Sequence, residues 1–177
     1  MTPDELKPAL PRIDAAADER TMLRQFLDFH RAVLERKASG LTAEQLRTSV
    51  APSNLTLGGL LLHIAGVEEG WFSQYFLDRP LGETWTDIDW EASPDWELEN
   101  VDRFTPEEMF GYFRAACERS RAIEAEAESL DLVTAKEFPN ERQWSLRWIM
   151  VHMIEEYARH CGHADFIRQA IDGTVGD

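Results

Sequence analysis

The sequence predicts an all-α protein: a four-helix bundle with a long tryptophan-containing loop between the second and third helices. Three observations carry this reading. Four segments of roughly 20 residues repeat apolar side chains at the 3.6-residue helical period, and none shows the strict alternation of a half-buried strand. No internal repeat or low-complexity tract interrupts them. A chain of 177 residues, 44% of them apolar, can bury about 70% of its unfolded surface without disulfide staples. Residues 1–177 are therefore read as one domain.

The first helix runs from about Asp18 to Lys37. Met22, Phe26, Phe29 and Val33 form its apolar stripe, widened by Leu23 and Leu27. Gly40 stands where a left-handed glycine ends a helix. The second spans about Thr56 to Leu77, with Asn54 or Thr56 as N-cap. Its apolar face holds Leu57, Leu60, Leu61, Ile64, Val67, Trp71 and Tyr75. The third opens on Thr105-Pro106-Glu107-Glu108, a capping box with proline at the first helical position. It turns Phe110, Phe113, Cys117 and Ile123 inward and fades near Ser129. The fourth opens near Ser145, ends before Gly173, and lines the core with Leu146, Ile149, Met153, Tyr157, Ala164, Ile167 and Ile171.

Residues 78–104 form an acidic connection holding Trp85, Trp90 and Trp96. Loops this long are uncommon in compact domains and often serve as lids or binding segments. Large aromatics also simply pin a loop to its bundle, and the sequence leaves both readings open. The link from Leu130 to Trp144 contains Pro139-Asn140-Glu141, an ordinary turn region.

Charge narrows the partners. The chain has 33 Asp+Glu against 18 Lys+Arg, a net charge of −15. Such a surface repels phosphates, and no basic run offsets it, so a nucleic-acid partner is not expected. The opening stretch Met1–Arg12 lacks the basic-then-apolar pattern of a secretory signal. The longest apolar stretch, Leu55 to Val67, is interrupted by His63 and too short to span a bilayer. Two cysteines, Cys117 and Cys161, make no disulfide framework. The expectation is a cytoplasmic protein with no membrane partner, acting on a small molecule.

Five histidines occur: His30, His63, His152, His160 and His163. His152, Glu156 and His160 rise along one helical face at i, i+4, i+8. The Glu156/His160 spacing lets one helix offer two ligands to one metal ion. With 33 acidic residues and five histidines in 177, about one such pair is expected by accident. His63 strengthens the case, because Gly59, Gly66 and Gly70 share its helical face. Glycine inside a helix costs roughly 1 kcal/mol relative to alanine, which suggests that something must approach there. The approaching group is a facing backbone, a ligand set or a bound molecule; tight helix packing around a hydrogen-bonded core histidine is the alternative. If the second and fourth helices are neighbours, His63, Glu156 and His160 meet as a His₂Glu set with an open position, the arrangement of catalytic zinc.

At these residues, in LGGLLLHIAGVEEGWF and LRWIMVHMIEEYARHCGHADFIRQAIDG, the sequence resembles the DinB/YfiT-like superfamily of four-helix metal proteins. It is most similar to the actinobacterial branch related to mycothiol-dependent maleylpyruvate isomerase. With helix order, the similarity spans roughly Asp18 to Gly173. The resemblance implies that a divalent ion, usually zinc or nickel, is bound by His63, Glu156 and His160. Glutamate at 156, where many members carry histidine, looks like the mycothiol-dependent branch. His163 stands where many relatives carry glutamine, and its orientation is open. The resemblance also implies a low-molecular-weight thiol, such as mycothiol or bacillithiol, held as thiolate and attacking a small electrophile.

The expected function is therefore a metal- and thiol-dependent S-transferase. A metal-assisted hydrolase and a non-catalytic metal- or small-molecule-binding protein of the same fold are the alternatives, and a metal-free polar core is the fourth reading. His152 is placed to orient a ligand, or is a hydrogen-bonded histidine unrelated to metal. Cys161 is expected to be a small buried hydrophobe rather than a nucleophile. Glu68 and Glu69 read as solvated surface charges, one of them able to support a ligand. Arg147, Arg159 and Arg168 read as solvated or ion-paired. A homodimer is compatible with the bundle, though no feature of the sequence fixes an interface.

Overall fold

The computed structural model describes residues 8–138 and 142–176. Among these the chain is helical, and its sole β pairing is an isolated bridge between Val133 and Ser145. The helices are α1 (Glu19–Ala38), α2 (Ala43–Leu46), α3 (Leu57–Glu68), α4 (Glu83–Thr86), α5 (Trp96–Glu99), α6 (Pro106–Glu126) and α7 (Leu146–Asp172). A π-helical segment, Glu69–Phe76, continues α3, and a 3₁₀ turn, Val101–Arg103, precedes α6. The four long elements expected from periodicity are α1, α3 with its π segment, α6 and α7. Pro139, Asn140 and Glu141 lie outside the described residues.

Side-chain caps start each long helix. Asp18, Thr56, Thr105 and Ser145 accept from the backbone N–H groups of Thr21, Gly59, Glu108 and Trp148. Glu108 returns the bond to the Thr105 N–H at 2.8 Å, completing the capping box. Each cap satisfies donors that the first turn leaves orphaned. The short α2, capped by a second box between Thr42 and Gln45, was not anticipated; one turn is too brief to show a period. Gly173 ends α7 at φ 77. Asp78 ends the π segment at φ 51, a conformation aspartate tolerates better than most residues.

The core is one contiguous cluster in which α1 packs chiefly on α7, and α3 on α6, with α3 also touching α1 and α7. The seven core positions expected on α7 all pack there, Ile171 only partly buried. Phe113, Cys117 and Ile123 are likewise buried on α6. The stripe expected on α1 is displaced. Phe26 is 38% exposed, while Leu27, Arg31, Val33, Leu34, Lys37 and Ala38 are buried.

The displacement has a cause: Arg31 occupies an inward position. Its Nε and Nη2 donate to the two oxygens of Glu68 at 2.7 and 2.8 Å, and its Nη1 donates to Asp28 at 3.0 Å. Glu68 is 0% exposed and Glu69 7%, so the expectation of solvated charges fails for both. Glu69 is held by Arg119 and by the Gly82 N–H at 3.0 Å. Tyr157 donates to Glu68 Oε1 at 2.8 Å, and Cys117 Sγ lies 3.5 Å from the same hydroxyl. Two inward charges are tolerated because each satisfies the other with two hydrogen bonds.

Among the described residues no helix is long and apolar enough to cross a membrane. Cys161 is buried with its Sγ 3.6 Å from the His30 carbonyl, and Arg147, Arg159 and Arg168 are all ion-paired.

Candidate metal and thiol site

His63 sits in the second turn of α3, facing α7. Glu156 and His160 stand one turn apart on α7, so a single helix aims both at the same point. One donor atom from each of His63, Glu156 and His160 lies within 4.8 Å of the others. His160 Nε2 is 3.6 Å from Glu156 Oε2, and the His63 and His160 ring centroids are 4.8 Å apart. Ligands at ordinary zinc distances sit about 3.4 Å apart on a tetrahedron. The three side chains therefore fit a divalent ion with small adjustments, and their His₂Glu chemistry suits zinc or nickel.

The two remaining α7 histidines behave differently. His163 is exposed, with Nδ1 3.5 Å from Nδ1 of His160. His152 stacks on Trp148 at 4.8 Å and meets the edge of Trp71 at 5.0 Å. Its Nδ1 lies 3.5 Å from Glu155, and these two with Glu156 form a second, more exposed group of donors.

Beside His63 opens a cavity of about 510 Å³. One wall is the continuous face of α3 and the π segment: His63, Gly66, Val67, Gly70, Trp71, Gln74 and Tyr75. The other comes from the long connection, through Leu81, Trp85, Trp90, Pro94 and Glu97, with Lys136 also lining the space. Trp85 is 2% exposed. The connection is thus pinned to the bundle by its aromatics and also forms half of the cavity. The pinning role expected of the tryptophans is seen at Trp85.

The glycines separate into two kinds. A Cβ on Gly58 would come 2.7 Å from Met109 Sδ, and one on Gly59 would come 3.2 Å from Leu98. Those two serve close packing. At Gly66 and Gly70 a Cβ would meet nothing within 4 Å. Their missing side chains leave room in the cavity, beside His63.

The chain matches the family model described as mycothiol-S-transferase over residues 22–173. It belongs to the mycothiol S-transferase family. Among curated proteins, none matches it. The family match agrees with the DinB/YfiT-like resemblance carried by α3 and α7 and takes in His63, Glu156 and His160.

In this mycothiol S-transferase family member, burial first, and then the neighbouring His63, His163 and Arg159, depress the His160 pKa from 6.5 to about 4. The ring is neutral at pH 7, which a ligand requires. The unfolded chain takes up its proton near pH 6.5, before the folded one does. Chelator-treated protein should hold its full stability above pH 6.5 and lose part of it as pH falls from 6.5 toward 4. Urea titrations across that window test this, and His160→Gln should flatten the dependence. An equal slope in the variant would contradict a neutral buried His160.

Sequence reasoning missed Glu97. It is buried, on the four-residue α5, with Oε1 2.6 Å from His63 Nδ1. It lies in an irregular acidic segment, where no periodicity distinguishes one glutamate from its neighbours. Cys117 is not a candidate nucleophile. Burial, and then the charge of Glu68, push its thiol up to about 12.

Proposed function

We propose that this protein is a metal-dependent mycothiol S-transferase, in which His63, Glu156 and His160 hold a divalent ion and the adjoining cavity receives thiol and electrophile. The observation carrying the reading is the convergence of a compact His₂Glu donor set with an aromatic-walled cavity at His63, in a member of the mycothiol S-transferase family. A divalent ion there supplies positive charge that lowers the pKa of a thiol beside it.

The side chains account for the rest. Trp71, Tyr75 and Trp90 exclude water and offer faces on which a small electrophile stacks, with Trp85 buried beside Trp90. Gly66 and Gly70 leave the space in which the thiol approaches His63. In the transfer, the thiol loses its proton to solvent and its sulfur forms a bond to the electrophilic carbon; any leaving group departs with the bonding electrons. The reaction consumes a cytoplasmic thiol, which fits an intracellular location.

Elemental mass spectrometry on purified protein, with a coupled assay of mycothiol consumption, tests the reading. About one zinc or nickel per chain is expected in the parent, lost in folded His63→Ala and His160→Ala. Gly66→Leu should keep the ion and raise KM by filling the cavity. Folded parent protein that takes up no stoichiometric ion would overturn the metal assignment. Turnover of an ester or amide with no thiol present would point instead to hydrolysis.

A further inference from the structure

We propose that Glu97 is a positioning residue of the metal centre: through its hydrogen bond to Nδ1 of His63 it fixes the ring so that Nε2 faces the ion. This rests on the metal reading above. An imidazole has two nitrogens, and the partner of one decides what the other presents. Glu97 Oε1 stands 2.6 Å from Nδ1. A carboxylate there accepts the Nδ1–H and leaves the Nε2 lone pair for an ion.

A second observation points the same way. Glu97 is 5% exposed, and its other oxygen, Oε2, is buried without a hydrogen-bond partner. Among the described residues its ion-pair partner is His63. A buried carboxylate held by one hydrogen bond is expensive. A cation on the far side of the same ring offsets that charge without any further contact to Glu97. Glu97 is thus committed to His63, which suits a ring that holds an ion on its other nitrogen.

The residue's origin adds a consequence. His63, Glu156 and His160 come from α3 and α7, whereas Glu97 comes from the connection that also carries Trp85 and Trp90. The same connection therefore supplies both a wall of the cavity and the acceptor for His63. Relatives with a different connection would have to supply an equivalent acceptor.

Zinc affinity measured by competition with a chromophoric chelator tests the proposal, on the parent, Glu97→Ala, Glu97→Gln and Leu98→Ala. Glu97→Ala should weaken zinc binding by about 10–100-fold. Glu97→Gln, which keeps an acceptor oxygen without the charge, should fall between. Leu98→Ala loosens the same segment against Gly59 without touching His63, and should leave affinity unchanged. Long-range ¹⁵N–¹H spectra of metal-free protein should show His63 protonated at Nδ1 in the parent, shifting toward Nε2 in Glu97→Ala. Unchanged affinity in Glu97→Ala, an equal loss in Leu98→Ala, or a parent His63 protonated at Nε2 would each overturn the role of Glu97 while leaving the metal site standing. A parent with no saturable zinc binding would remove the metal reading and this proposal with it.

Discussion

Replacing Glu68 by alanine is expected to destabilise the protein by about 3–5 kcal/mol, because it strands Arg31 in the core. For a chain of this size that corresponds to a fall in Tm of about 6–20 °C. The Arg31 side chain is 4% exposed and that of Glu68 0%, so neither can turn to solvent without opening the interface between α1 and α3. The double variant Arg31→Met/Glu68→Leu should regain most of the loss, since a packed apolar pair often matches a buried ion pair. Urea unfolding of the three proteins reads this directly. A loss below about 1 kcal/mol for Glu68→Ala would mean the charge finds water or another partner. The site should suffer too. Tyr157 donates to Glu68 and is adjacent to Glu156 on α7. That bond fixes the rotation of α7 about its axis, and with it the direction in which Glu156 and His160 point.

The second large effect is catalytic. His160→Ala should lower mycothiol transfer at pH 7 by about 10²-fold or more. A thiol with an ordinary pKa near 8.5 is only about 3% ionised at that pH. Without the ion, transfer loses about 30-fold in available thiolate, and misplacement of the sulfur adds to that. The pH dependence gives the cause away. The parent rate should be nearly flat above neutrality, its thiol being already ionised. The variant's residual rate should climb about tenfold per pH unit until the free thiol ionises near 8.5. Parallel pH profiles in the two proteins would show that His160 serves something other than thiol ionisation.

Much of this was legible in the sequence, and the exceptions share a physical origin. The long helices announce themselves through period and caps; Thr105 with Glu108 starts α6, and Ser145 with Gly173 bounds α7, where the structure places them. His63 draws notice as a polar residue among leucines flanked by glycines. Glu68 and Arg31 do not, because charge suggests solvent. Yet Glu68 follows Leu57, Leu61 and Ile64 along one apolar row, and Arg31 follows Leu23 and Leu27 along another. Helical position overruled charge once a partner of opposite sign lay on the facing helix, and only the fold puts that partner there. Glu97 illustrates the other limit. Its role depends on where a 27-residue connection docks, and nothing local encodes that.

The tryptophans give the cavity an optical property. Trp71, Trp85 and Trp90 line it, and Trp71 also touches His152, which stands one helical turn from Glu156 on α7. A molecule entering the cavity changes the solvation of these indoles, so their emission reports occupancy without a label. Colour in the bound ion acts on the same light. Nickel or cobalt near these rings quenches their emission, whereas colourless zinc leaves it intact. Occupancy and metal identity become readable from one cuvette, through chromophores the protein already carries.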